Sequence, residues 1–384
     1  MKLEEFVEYL ACPTTRKCVR LVDLSNQGEA KPNPALRPVR RTGSTPAAIG
    51  QTSRLLMDES SETAYPVVGE FPVLMAPELL VPKSEIDKFG VVDLADPRYA
   101  EAYEEMEVYN TLSDEKIRSA RESGHSELQK PMGALIPTAD LSDADFPLPE
   151  NLWIDARHDA ISQLEAYTHL APVHNSVVLQ LGGSGTHAIK MLRAGASKAF
   201  LLTQMIGEAR VAMQLAEDYG VSEKLGCVIG IGEEIPLSNE TIDLVYSGGC
   251  FHHMRLSHAA KELHRILREG GKFSGVDSWK TPLHTIGTTL IGKREKSVFC
   301  KPITPERLAP MQRQFGGMFA NNHGPLLRYL FLAFEKLGVQ FPIPTMLRIG
   351  RFDDSFCEKI GLKRFGGSLM IAGTKRATPP RADD

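Results

Sequence analysis

Residues 177–192, VVLQLGGSGTHAIKML, run from an apolar strand through a glycine-rich turn into a helix. Glycines permit positive φ and close backbone approach to a ligand, and the free N–H groups of a helix start attract anionic oxygen. The chemistry on offer is the holding of a nucleotide-like ligand, with Gly182, Gly183, Ser184 and Gly185 as the cradle. A tight strand-to-helix turn would use the same glycines, so the motif does not decide the matter alone. A second group, Cys250, His252 and His253 in GGCFHHM, places three possible metal ligands together. Adjacent histidines point different ways, so no metal is expected there. A histidine titrating near neutral pH can instead take a proton from a substrate hydroxyl or amine, which makes His252 the candidate catalytic base, against a role in packing. His187, at the helix start, faces either solvent or a ligand carboxylate. Cys12 and Cys18, with five residues between them, lack the second close cysteine pair that a tetrahedral zinc site would need.

The elements that must position these residues follow from periodicity. From residue 153 helical and strand patterns alternate: a helix over 156–170, strand SVVLQL, a helix to Ala194, strand KAFLLT, a helix over 207–220, strands GCVIGI and IDLVYS, a helix over 257–271 and strand KFSGVDSW. Regular alternation of this kind predicts an α/β fold with a doubly wound, mostly parallel Rossmann-like sheet, whose ligands sit beyond the carboxyl ends of the strands. The last quarter does not continue the alternation, and its one clear amphipathic helix, PLLRYLFLAFEKLG, closes at Gly338. At the other end Leu3, Phe6, Val7 and Leu10 predict a short helix, residues 26–53 a long exposed loop, and AYPVVGEFPVLM a hairpin around Gly69. The organisation expected is a small α+β module over 1–80, a helical connector over 81–150, a core over 151–280 and a substrate or lid segment over 281–384.

Composition narrows the function classes. A formal net charge of −4 over 384 residues offers no general attraction to phosphate backbones, so nucleic acid is not an expected partner. The first ten residues, MKLEEFVEYL, are acidic and amphipathic where a secretory signal is basic and then apolar. No apolar run approaches the ~20 residues that span a bilayer. A cytoplasmic protein is expected, without a membrane partner, its six cysteines reduced. The basic run GKREKSVFCK over 292–301 is either a solvated face or a contact for an acidic substrate group.

With GEEIPLSNETIDLVYSGGCFHHM at 232–254 and ELHRILREGGKFSGVDSW at 262–279, the chain resembles the class I S-adenosylmethionine-dependent methyltransferases, in particular those of ubiquinone and menaquinone biosynthesis. The likeness spans about residues 153–279 and is most specific at EEIP, IDLVYS, FHHM and RILREGG. It implies a methyltransferase enzyme with S-adenosylmethionine as cofactor. In this family the glycine turn holds the methionine part, an acid ending the second strand grips the ribose, and the loop before EEIP lies beside the adenine. A dehydrogenase on the same fold has no use for EEIP or RILREGG. The cofactor residues implied are Gln180, Gly182, Gly183, Ser184, Gly185, Thr203, Gln204, Gly232, Glu233, Glu234 and Ser247. The methyl acceptor is expected to be a small molecule, given the acidic chain and a C-terminal segment long enough to roof a pocket, and a partner protein stays open.

Three departures from the family matter. Gln180 stands where an acid precedes the first glycine, Thr203 or Gln204 where the ribose acid belongs, and Ile231 at the adenine-side acid. Each lost charge-assisted bond costs about 1 kcal/mol, so weakened cofactor binding is expected, and the alternative is a non-catalytic methyltransferase-like subunit. Residues 1–80 carry a second resemblance, through LACPTTRKCVRL and AYPVVGEFPVLM, to the small activator subunit of tRNA and protein methyltransferases. That likeness implies a fused cap packed on the methyltransferase core.

Overall fold

The computed structural model describes residues 1–23, 54–58, 63–75, 154, 157–281, 301–339 and 341–376, with isolated helical positions at 115, 118 and 122. The loop expected over 26–53, nearly all of the connector over 81–150 and most of the basic run over 292–301 lie outside these residues.

The chain opens with helix α1 (Leu3–Phe6), followed by an antiparallel sheet of β1 (Arg20–Asp23), β2 (Arg54–Asp58), β3 (Thr63–Val68) and β4 (Phe71–Pro72), in that order. Gly69 turns the β3–β4 hairpin at φ +62°, a conformation costly for any residue with a Cβ. The core follows: α2 (Ala160–Leu170), β5 (Val177–Leu181), α3 (Thr186–Arg193), β6 (Lys198–Thr203), α4 (Ile206–Asp218), β7 (Leu225–Ile229), β8 (Ile242–Gly248), α5 (Leu256–Ile266) and β9 (Leu267–Ser278). It ends with α6 (Pro305–Phe315), β10 (Phe319–His323), α7 (Leu327–Lys336), α8 (Ile343–Lys359) and β11 (Ser368–Thr374).

Seven strands make one sheet in the order β10-β11-β9-β8-β5-β6-β7. Strands β5 to β9 are parallel to one another, while β11 pairs antiparallel with both β9 and β10. The sheet is covered on both faces, which is why β7 reads as an apolar run, β5 as one broken only by Gln180, and both are buried at every position. On one face Val178 packs with Ala166 and Tyr167 of α2, Ile189 of α3 and Ala212 of α4. On the other, Leu179 and Leu181 pack with Leu256 and Leu263 of α5, Leu308 and Met311 of α6, and the N-terminal module.

Two expectations are corrected. The helix read over 257–271 ends at Ile266, because Leu267 already pairs with Ile242 and the chain through Gly270 belongs to β9. The sheet does not stop at Trp279: the C-terminal segment, read as substrate or lid, supplies β10 and β11 as two sheet strands. These strands are antiparallel and are separated by α7 and α8, so they leave no regular strand–helix alternation to read.

The module lies against the β7 edge. Val73 forms a parallel bridge to Ile229, and the Leu74 N–H donates to the Ile229 carbonyl at 2.9 Å. Leu3, Phe6, Leu10, Leu56 and Tyr65 share one apolar cluster with Phe200, Leu202 and Val228 of the core. The Cys12 thiol is buried 3.2 Å from the Tyr65 hydroxyl.

Candidate functional site

In this sheet the chain leaves β5 for β6 and β7 on one side and returns for β8 and β9 on the other, so the strand order reverses between β5 and β8. A crevice must open beyond the carboxyl ends at such a reversal. A cavity of about 220 Å³ lies there, walled by the tips of β5 to β8. Leu181, Gly182 and Gly183 come from β5 and its turn; Leu202, Thr203, Gln204 and Met205 from the end of β6; and Glu208 from the first turn of α4. Gly230 to Glu233 follow β7, and Gly248 to Cys250, His253 and Met254 follow β8.

Of the cofactor residues expected from the sequence, Gly182, Gly183, Thr203, Gln204, Gly232 and Glu233 meet at this cavity. Gln180, Ser184, Gly185, Glu234 and Ser247 do not line it. Gln180 is 2% exposed, and its side chain is committed to the fold of the turn. Its Nε2 donates to the Gly182 carbonyl at 2.8 Å, and its Oε1 accepts from the Ala188 N–H at 2.8 Å. An amide can do both; a carboxylate can only accept. Gly185 starts α3 at φ +82°, where an added Cβ would stand 2.7 Å from the Cβ of Ala212, so its smallness serves helix packing. Ser184 is half-buried in the turn, and the Glu234 N–H closes a turn onto the Ile231 carbonyl at 3.2 Å. Ser247 is fully buried in β8 between Leu181 and Gly275 in register, and its hydroxyl finds no hydrogen-bond partner among the described residues.

His252, expected as the base, does not line the cavity. Its Nδ1 is paired with Asp277 at the end of β9, whose carboxylate also accepts from the Phe251 and His252 N–H groups at 3.0 and 3.1 Å. Arg307 of α6 holds the same turn by donating to the His252 and Met254 carbonyls at 2.9 and 3.0 Å. These bonds fix the neighbours that do line the cavity, His253 and Met254. Met254 rests on Gly232, where a Cβ would fall 2.6 Å from its sulfur. The Cys250 thiol closes over Gly182 in the same way, 2.2 Å from the position of an added Cβ. The His187 ring lies 4.3 Å from that of Tyr246, tilted by 44°, with its Nδ1 2.5 Å from the Tyr167 hydroxyl.

Glu208 was not marked by the sequence motifs. It lies one helical turn past the end of β6, and its Oε2 accepts from the Thr203 hydroxyl at 2.9 Å. The signal was an acid in the first turn of the helix after the second strand, where the helix dipole favours a carboxylate.

A second polar cluster ties the edge of the sheet to its helices. His323, at the end of β10, has Nδ1 2.5 Å from Asp354 of α8 and Nε2 3.1 Å from Glu165 of α2. Burial opposes charge on this imidazole, but hydrogen bonds to Asp354 and Glu165 outweigh it and raise its pKa to about 9. Arg328 of α7 grips Asp159 with two bonds of 2.6 and 3.2 Å. The guanidinium overcomes the burial of that carboxyl and holds it far below the usual carboxylate range.

Known proteins resemble this part of the chain. Residues 179–274 match the methyltransferase domain family. The chain is similar to a malonyl-[acyl-carrier protein] O-methyltransferase of Methylococcus capsulatus, at 32% identity over 114 residues, covering 29% of this chain and 41% of that one. It is also similar to an uncharacterized methyltransferase of Schizosaccharomyces pombe, at 42% identity over 48 residues, covering 12% of this chain and 19% of that one. The chain thus spans less than half the length of these curated relatives. Among solved structures it is similar to geranyl diphosphate C-methyltransferase from Streptomyces coelicolor A3(2), with TM-score 0.43 and 13% identity over 65% of this chain and 91% of that one. The likeness to methyltransferases thus lies in the core, over the strands that wall the cavity.

Proposed function

We propose that the chain is an S-adenosylmethionine-dependent methyltransferase acting on a small-molecule acceptor. The observation that carries this reading is the convergence, at the strand-order reversal, of the segments that match the methyltransferase domain, around one cavity. The lining suits an elongated nucleoside with an amino-acid tail. Gly183 and Gly249, both at positive φ, present bare backbone to the cavity, and an added Cβ on either meets nothing closer than 3.5 Å. Ile231, Met205 and Met254 supply apolar surface for a purine, and Glu208 and Glu233 are carboxylates on the wall.

The cofactor supplies a methyl group already activated on a sulfonium, so the protein has to align the acceptor and keep water out. In this chain Gly182 and Gly183 of the glycine turn and the loop over 230–233 hold the ligand, and His253 and Met254 form the wall beyond the β8 tip. His253 stands on that wall and is the side chain placed to take a proton from an acceptor hydroxyl or amine. Asp277 and Arg307 keep it in place through the backbone on either side.

Titration calorimetry of the folded protein with S-adenosylmethionine and S-adenosylhomocysteine tests the reading. Saturable binding is expected, and the absence of binding at millimolar ligand would overturn it. Retention of a carboxylate at the cavity, through Glu208, favours the enzyme over a subunit that has lost its cofactor.

A further inference from the structure

We propose that Glu208 grips the ribose diol of the cofactor, replacing the acid that the end of β6 lacks. The inference rests on the methyltransferase reading and assigns a residue that no sequence motif marks. In a doubly wound sheet the tip of the second strand faces the sugar, because it stands beside the glycine turn on the side where the strand order runs outward. Here that tip is Thr203 and Gln204, and neither is ionisable. Two vicinal hydroxyls are both donors, and a carboxylate, which only accepts, is the strongest partner for them.

Two carboxylates line the cavity, and their places differ. Glu233 belongs to the loop after β7, and its Oε1 caps the Arg255 N–H at 2.9 Å, which ties it to the start of α5. Glu208 stands beside the β6 tip itself, with Thr203, Gln204 and Met205 as its neighbours on the wall. The Thr203 hydroxyl donates to its Oε2 at 2.9 Å while accepting from the Met205 N–H at 3.2 Å. The threonine is therefore a positioning residue: its own acceptor capacity is used by the backbone, and its proton aims the carboxylate. The first turn of α4 adds a favourable dipole for the charge. The acid has moved from the strand end to the next helical turn, and a threonine bridges the gap.

The test is calorimetry of the full chain with two probes, S-adenosylhomocysteine and its 2′,3′-dideoxy analogue. Wild-type protein is expected to bind the parent at least tenfold more tightly than the analogue. Glu208→Gln should weaken the parent about tenfold or more while leaving the analogue nearly unaffected, because only contacting groups are coupled in a double cycle. Restoring an acid at the strand tip, in Glu208→Gln combined with Gln204→Asp, should recover most of the lost affinity. If Glu208→Gln fails to fold, Glu208→Asp retains the charge but shortens the reach, and should narrow the gap between the two probes. The assignment is overturned if the substituted proteins still distinguish the probes as the wild type does. Failure of wild-type protein to bind either probe would overturn the methyltransferase reading itself, a separate outcome.

Discussion

At the scale of single residues, Gln180 explains why an acid is missing from the strand before the glycine turn. Its amide bonds in both directions, donating to the Gly182 carbonyl and accepting from the Ala188 N–H. A glutamate of the same length would face that carbonyl with a second acceptor, in a site only 2% exposed. Gln180→Glu is therefore expected to destabilise the protein at pH 8 by about 2 kcal/mol, the cost of an unsatisfied buried acceptor. Protonation would restore the donor, so the folded state raises the pKa of the new carboxyl. A raised pKa contributes stability below the unfolded value and loses it as pH rises, so the deficit relative to wild type should shrink towards pH 5. Denaturant titrations of both proteins at pH 5 and 8 check this, and an equal deficit at both values would show that the Gly182 contact is unimportant. Glu208 completes the same picture: neutrality at the strand positions does not make the cavity neutral.

At the scale of elements, His323 clasps three of them, joining β10 to α2 through Glu165 and to α8 through Asp354. Its pKa, raised to about 9 in the folded protein, exceeds the ~6.5 of a free imidazole. The clasp is thus fully present below about pH 6.5 and is lost as pH rises through about 9. The melting temperature of wild-type protein should fall between pH 7 and 10 more steeply than that of His323→Asn; parallel curves would refute the clasp. This edge was the least legible part of the sequence. The strands from β5 to β9 announce themselves because burial on both faces demands apolar runs separated by helical periods. By contrast, β10 reads FANNH, with three polar residues in five, and α8 carries Asp353 and Asp354 towards the interior, where they bond the Leu326, Leu327 and Gly324 N–H groups and His323. Tertiary polar contacts of this kind leave no periodic trace. The cavity was half legible for a related reason. Motif positions located Gly182, Gly183, Thr203, Gln204, Gly232 and Glu233, whereas the placing of His253 rather than His252 on the wall goes with the bonds of His252 to Asp277, 25 residues further along.

At the scale of the whole molecule, the N-terminal module and the cavity at the strand tips meet at one loop. Residues 230–233 line the cavity, and the module holds the chain on both sides of them. Before the loop, Leu74 donates its N–H to Ile229; after it, Ala11 donates to the Pro236 carbonyl at 3.1 Å and Ser238 donates to the Tyr9 carbonyl at 2.7 Å. Arg16 adds an ion pair to Glu262 of α5 at 3.1 Å. Beneath these bonds Phe6 and Tyr9 pack 5.9 and 5.1 Å from Phe200, a residue with no exposed surface in the intact chain. Removing the module uncovers this apolar face and leaves β7 as an open edge, the two features that drive aggregation and cost most stability in a truncated sheet. A chain beginning at Glu85 should therefore melt at a lower temperature and scatter light on concentration. Whatever part of it remains folded should bind S-adenosylhomocysteine more weakly, because the loop that carries Gly232 and Glu233 is no longer held at its ends. Full-length protein, for its part, should unfold in one transition rather than two, since Leu3, Phe6, Leu56 and Tyr65 belong to the same cluster as the sheet. Calorimetric scans of both chains decide the matter: a truncated chain with an unchanged melting temperature and unchanged affinity would mean that the module sits on the domain without supporting its cavity.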